Sequence, residues 1–350
     1  MTHRHSIACI VPPDLLKQII LKSGDVQERS DALGSLLLDH SFRHQRAERA
    51  ARAVAATAAP TTLASRGGKP RRTIYDMQHS TDEIGPVARA EGQKATEDKA
   101  VNDVYDAFGK TYDFFWKVFQ RNSIDNAGMS LTGMVHYGVK YNNAFWDGEG
   151  HMVFGDGDGK LFISFTKSVD VIGHELTHGV TQYTANLNYS GQSGALNESL
   201  SDAFGSMLKQ YVLKQNAAQA DWLIGAEIVG PQLKEALRSL KAPGTANVYD
   251  NQPATMDGFV RTYEDNGGVH TNSGIPNKAF YLAAVALGGH SWDKAGPIWY
   301  AAMRDSQVRP NASFRTFARA TVRAAGELYG TSSSEVAAVR SAWQEVKVIS

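Results

Sequence analysis

The sequence has a single cysteine, Cys9, among 350 residues, so no internal disulfide can form. It has no apolar run approaching the roughly 18–20 residues of a membrane-spanning helix, and no membrane partner is expected. Formal net charge is zero, so nothing global draws the chain to nucleic acid or to an anionic surface. At the N-terminus the apolar stretch runs only from Ile7 to Val11 before Pro12 and Pro13 stop it. That is shorter than the roughly 7–15 residues of a signal-peptide core, and no recognisable signal peptide is expected. Stability must come from an apolar core or from bound metal.

What is present fits a globular protein: 42% hydrophobic and 21% charged residues, enough for two domains or for one with an appended segment. The zero charge hides an asymmetry. Residues 1–72 carry 12 basic against 6 acidic side chains, and the remainder 24 against 30. Apolar residues at helical spacing (Leu15, Leu16, Ile19, Ile20) predict helix within 13–59. A small, polar, Gly/Pro-containing stretch follows, with arginines open to proteolysis. Val101, Val104, Tyr105, Phe108, Tyr112, Phe115 and Phe119 line one face of a helix over 95–120. Residues 131–141, 152–154 and 161–165 read as strands, and the pattern after Asp170 is helical almost to the end. The expected fold is α+β, a mixed half preceding an all-α half. The expected division is a leader over 1–60, a linker over 61–72, an α+β domain over 73–183 and an α-helical domain over 184–350.

The crossover falls on His174-Glu175-Leu-Thr-His178. Two histidines four apart share one helical face and can reach one ion, and Glu175 can reach water in the open position of that ion. On its own the pattern can arise by chance on a surface helix. Nineteen residues on comes Asn197-Glu198-Ser-Leu-Ser-Asp202, where another helix is expected to start, running to about 214. Glu198 completes a His2Glu zinc set with one position left for chemistry. Asp202, on the same helix face, can accept the outer ring N–H of a ligand histidine, fixing its tautomer; otherwise it is a helix-surface acid.

Together these motifs resemble the thermolysin-like neutral zinc metalloproteases. Tyr141-Asn-Asn-Ala-Phe-Trp146, Gly155-Asp-Gly-Asp-Gly159 and Asp265-Asn-Gly-Gly-Val-His270 add to the likeness, which runs from about Arg72 to the C-terminus. The leader, with Pro12-Pro13 before Leu15-Leu16, resembles the short propeptide of the protealysin-like branch. The resemblance implies a two-domain metallopeptidase with its zinc cleft between the halves, made as an autoinhibited precursor. It implies an endopeptidase in which Glu175 serves as base and then acid, and in which His270 and Tyr189 stabilise the oxyanion. Asp265 would keep His270 oriented and cationic, although by residue type alone His270 is a turn histidine after a Gly-Gly bend. Asn143 and the Ala144 carbonyl would hold substrate as an added strand, and Arg238 would hold the carbonyl after the scissile bond. Phe162, Phe165, Val171 and Leu237 would wall the pocket for the next residue, favouring Leu, Phe or Ile there; by composition they are ordinary core residues.

Departures from the family carry their own expectations. Asp170 matches a ligand of the paired calcium site, but Lys209 stands where a ligand Glu is expected, and an ammonium repels Ca²⁺. An Asp170–Lys209 ion pair is expected instead, and Gly155 to Gly159 is expected to be a turn. The leader is expected across the cleft near Cys9 to Pro13, with Cys9 either a small buried apolar residue or a thiolate ligand of zinc. The expected partners are peptide and protein substrates and the chain's own propeptide, with the protein a monomer and, by the resemblance, extracellular. An aminopeptidase would need acids placed for a free α-amine, and no such signature is present. Intact Glu175, His270 and Asp265 argue against a non-catalytic binding module.

Overall fold

The computed structural model describes residues 8–53, 68–233 and 235–350. Residues 61–67 of the expected linker over 61–72 therefore lie outside the described residues. Strand β1 (Ala8–Cys9) leads into helix α1 (Pro13–Lys22), which starts on a proline whose missing N–H costs nothing at that position. Helix α2 (Val26–Ala53) packs back against α1. Strands β2 (Arg72–Asp76) and β3 (Val87–Ala90) precede α3 (Lys99–Phe119). Asp98 caps α3 by accepting from the Ala100 and Val101 amides, and the helix buries Val101, Val104, Phe108, Tyr112 and Phe115. Each such side chain contributes about 1.5–3 kcal/mol on leaving water.

Strands β4 (Leu131–Val135), β5 (Ala144–Trp146) and β6 (His151–Phe154) complete a six-stranded sheet of order β1-β5-β6-β4-β2-β3. The β2–β4 and β4–β6 pairs are parallel and the others antiparallel. The body alone would end its sheet at β5. The leader supplies the sixth strand, with Ala8 opposite Trp146 and Cys9 opposite Phe145. An open sheet edge is a template for an extended chain, and here the chain's own N-terminal segment takes it.

Among the described residues, helices α4 (Val169–Gln182) and α5 (Gly191–Leu213) form the most extensive contact between elements. Short strands β7 (Leu223–Ile224) and β8 (Arg238–Ser239) pair antiparallel. Helices α6 (Asp265–Asn272), α7 (Gly274–Leu287), α8 (Ala295–Met303), α9 (Phe314–Tyr329) and α10 (Ser334–Glu345) complete the C-terminal part.

Three local expectations need correction. Residues 161–165 are not a strand. Asp158 accepts from the amides of Lys160, Leu161 and Phe162, a turn that leaves one bridge, Phe162 to Val229. Helix α5 begins at Gly191, six residues before the expected start at 197. Gly191 and Gly194 lower its apparent propensity, yet a Cβ at Gly194 would come within 2.4 Å of Val269. Arg238 lies on a strand rather than a helix and is buried.

Candidate active site

Helix α4 carries His174, Glu175 and His178, and α5 carries Asn197, Glu198 and Asp202. The Nε2 atoms of the two histidines are 3.0 Å apart, and each lies 3.5 Å from a Glu198 oxygen. Their Nδ1 atoms face outward. His174 Nδ1 is 2.8 Å from Asp202 Oδ1, and His178 Nδ1 is 2.8 Å from the side-chain oxygen of Asn197. Both acceptors require the proton on Nδ1, so two Nε2 lone pairs and a carboxylate converge on one point. Burial holds His178 neutral, with its pKa down to about 4. Burial would raise Glu198, but the positive charge of His270 holds its carboxyl below its ordinary range.

Three acceptors with no donor between them fit a cation. Glu198 Oε2 is buried with no hydrogen-bond partner, and among the described residues these three form the one grouping able to hold a metal. Two imidazoles and a carboxylate with room for a fourth ligand suit zinc. The Cys9 thiol is not brought into this grouping. Its side chain lies in a separate apolar cluster with Met77, Met134, Tyr137, Tyr141, Phe145 and Val153, as a small buried residue would. Cys9 reaches the site through its main chain instead.

Around the metal point the other expected residues assemble. Glu175 Oε2 accepts from the Trp146 amide at 2.9 Å, while Oε1 is buried without a partner. Burial, then the charge of Glu198, raises the Glu175 carboxyl well above its ordinary range; a divalent cation beside it acts the other way. Tyr189 donates its hydroxyl to Glu198 and lies 3.3 Å from His270 Nε2. Burial keeps that phenol protonated. His270 stands on α6 beyond left-handed Asn266, Gly267 and Gly268, the expected Gly-Gly bend. Asp265 takes both its main-chain N–H (2.8 Å) and its ring Nδ1 (2.7 Å). Burial opposes charging His270, but Asp265 and Glu198 lift its pKa to about 9, so it is cationic at neutral pH.

The leader lies through this array as a peptide. His270 Nε2 donates to the Cys9 carbonyl at 2.8 Å. The Ile10 amide donates to the Ala144 carbonyl at 3.1 Å, and Arg238 donates to the Ile10 carbonyl at 2.8 Å. Asn143 holds Val11 from both sides, accepting from its amide at 3.0 Å and donating to its carbonyl at 3.3 Å. Phe162, Phe165, Val171 and Leu237 are fully buried in the apolar cluster that also contains Ile10. Arg238 forms a fork with Asp202, with nitrogen–oxygen distances of 3.0 and 2.9 Å.

Sequence reasoning missed four contributors. Asn197 orients His178 and immediately precedes Glu198, so its place in the motif was the available signal. Asn277 on α7 donates to Asp202 at 2.8 Å, and nothing in its local sequence marks it. The Trp146 amide is main chain, invisible to residue type. Asp39, from α2 of the leader, accepts from Asn143 at 2.9 Å and from the Tyr141 hydroxyl.

A sheet edge gripping an extended peptide beside a His2Glu centre, with an adjoining acid, a cationic histidine and a phenol, is the arrangement of a zinc metallopeptidase. Residues 61–182 match the family model for the thermolysin metallopeptidase catalytic domain, and 185–348 that for its alpha-helical domain. The chain is 47% identical to an extracellular metalloprotease of Pectobacterium carotovorum, covering 98% of this chain and 96% of that one. It is 48% identical to protease PrtS of Photorhabdus, covering 79% and 76% respectively. Among solved structures, the precursor of protealysin from Serratia proteamaculans superposes with a TM-score of 0.87 at 47% identity, covering 98% of this chain and all of that one. The chain belongs to the thermolysin metallopeptidase family.

Proposed function

We propose that this metalloendopeptidase precursor cleaves on the N-terminal side of bulky apolar residues, and that its leader occupies the cleft in the register of a substrate. The observation that carries this is the placement of Cys9, Ile10 and Val11. The Cys9 carbonyl meets His270, the Ile10 main chain meets Ala144 and Arg238, and Val11 meets Asn143. Cys9–Ile10 thus stands where a scissile bond would, with apolar Ile10 on the side leaving as amine. Chain continues on both sides of that bond, which favours an endopeptidase over an aminopeptidase.

Zinc, when bound to His174, His178 and Glu198, polarises the carbonyl and lowers the pKa of its water toward about 7. Glu175 accepts a proton at its unpartnered Oε1 and returns it to the departing nitrogen. His270 and Tyr189 donate to the carbonyl oxygen as it gains charge. Asn143, Ala144 and Arg238 hold the main chain, a grip tolerant of sequence.

The leader is held by more than the cleft. Asp39 takes the Asn143 amide, Lys17 pairs with Glu264 at 2.8 Å, and Lys160 pairs with Asp25 at 2.6 Å. Pro12 and the α1 that follows hold the chain after Val11 fixed. We take this as the autoinhibition of the precursor, and assign the matured enzyme to the extracellular space by its likeness to an extracellular relative. Active enzyme from culture supernatant, given a random peptide library, should yield cuts with Leu, Ile, Phe or Val as the new N-terminal residue. Cuts indifferent to that residue would remove the pocket assignment, and a supernatant without the enzyme would remove the location.

We further propose that this chain has dispensed with the paired calcium site. Lys209 Nζ lies 3.2 Å from Asp170 and 3.0 Å from Asp221, and donates to the Leu223 carbonyl at 2.9 Å. The ammonium occupies the point where those acids would share a cation. A calcium-selective chelator should leave the melting temperature unchanged. Lys209→Glu should lower it in chelator by several degrees, through like charges in a buried site, and regain it with calcium. Wild-type melting that falls in chelator would refute the proposal.

A further inference from the structure

His136 follows β4 in a left-handed conformation (φ 55°) and takes no part in the chemistry above. Its ring is held between two carboxylates. Nδ1 is 2.9 Å from both oxygens of Asp156, and Nε2 is 2.9 Å from Asp98, the cap of α3. A neutral imidazole has one N–H, so only the cation donates to both sides. The hydrogen bond to Asp156 raises the His136 pKa; burial opposes, Asp98 assists, and it reaches about 9. A further titratable group facing this cluster is His79, whose Nδ1 lies 3.7 Å from Asp156 and donates to the Gly138 carbonyl at 3.0 Å.

Asp156 belongs to the turn Gly155 to Gly159, and that turn is bonded to the segment that grips the peptide. Gly155 N–H donates to the Asn143 carbonyl at 3.0 Å, and Gly157 N–H to the Tyr141 carbonyl at 3.1 Å. The Asn142 amide donates to Asp158 at 2.9 Å and accepts from the Asp158 N–H at 2.8 Å. The approach is so close that a Cβ on Gly155 would lie 2.0 Å from the Tyr141 oxygen. The turn and residues 141–143 therefore move as one piece.

We infer that His136 is a positioning residue for the downstream substrate grip. Its paired hydrogen bonds to Asp98 and Asp156 anchor the Gly155–Gly159 turn on α3, and the turn sets the orientation in which Asn143 receives the second residue after the scissile bond. The inference rests on the substrate register proposed above. It also gives a role to an ion cluster that includes none of the three converging ligands. The sign of its pH dependence follows from the raised pKa. The clamp is complete while His136 is protonated, and it loses one of its two bonds as pH rises through about 9.

The test uses matured, zinc-loaded enzyme and two peptides. One ends as an amide at the residue after the scissile bond, and the other extends two residues further, onto Asn143. The readout is the ratio of kcat/KM, extended over short. In wild type the ratio should fall as pH goes from 8 to 10. In His136→Gln it should be about fivefold lower at pH 7, the worth of one hydrogen bond, and flat with pH. Asp156→Asn should give the same loss, and the double variant no further loss. If His136→Gln does not fold, Asp156→Asn decides. A wild-type ratio and pH profile in the variants overturns the inference. Asn143→Ala separates the two levels: if it too leaves the ratio intact, the register itself is wrong, and if it alone lowers the ratio, only the role of His136 falls.

Discussion

Replacing Glu175 by alanine is expected to lower kcat by about 10²–10⁴-fold, the usual worth of a positioned proton acceptor and donor. Zinc should remain bound, because Glu175 is not one of the three converging ligands. The side chain sits with one oxygen fixed by the Trp146 amide and the other buried and unpartnered, aimed into the site. That division of labour separates orientation from chemistry. Alanine removes the proton carrier and leaves the ligands, the oxyanion donors and the strand grip intact. Chelation of zinc should abolish hydrolysis of the same protein substrate in wild type, restored on adding zinc back. The measurement is turnover of an internally quenched peptide beside metal content by emission spectroscopy. Residual turnover within tenfold of wild type, with zinc at full occupancy, would take the proton-transfer role away from Glu175.

The second large effect is expected at Asp202, which never touches substrate. It is fully buried and accepts four hydrogen bonds: one from His174, two from Arg238 and one from Asn277. Burial alone would raise its carboxyl, but Arg238 and His174 hold it far below the ordinary range. Asp202→Ala leaves a buried guanidinium without its counter-ion, at a cost of about 3–5 kcal/mol. It also frees the His174 ring, which should weaken zinc binding by about 10–100-fold. Because the folded-state pKa is depressed, the contribution is at full strength above the unfolded value near 4 and fades as pH falls through the folded one. The gap in unfolding free energy between wild type and variant should therefore be wide at pH 7 and narrow toward pH 3. Zinc affinity measured by competition with a chromophoric chelator gives the second reading. Unchanged zinc affinity would mean that Asp202 serves Arg238 alone.

Much of the site could be read from linear spacing. His174 and His178 are one helical turn apart, and Glu198 and Asp202 likewise, so the periodicity of two helices already places four groups in two pairs. Asp265 and His270 are close enough in sequence for a short turn to join them. Contributors on other elements were not readable in this way. Asn277 reaches Asp202 across 75 residues, and the Trp146 amide belongs to no residue type. Asp39 comes from a leader whose composition says only that it is basic and helical. The edge strand β1 has two residues, too few for any alternation to register.

The sequence by itself paired His174 with His178 and Glu198 with Asp202 and set Glu175 beside the first histidine, because each pair lies within one or two turns of a helix and local geometry suffices. It also set a lysine at 209 to face Asp170, and the ion pair between them follows from charge type, a local property. Only the tertiary structure decided what Cys9 does. Its side chain packs among aromatics, and its carbonyl, available on any residue, meets His270. The same holds for His136, a lone histidine in the sequence that becomes a doubly bonded cation when α3 and the Gly155–Gly159 turn close on it. Sheet pairing and long-range closure bring main-chain groups and distant charges together, and neither leaves a periodic mark along the chain.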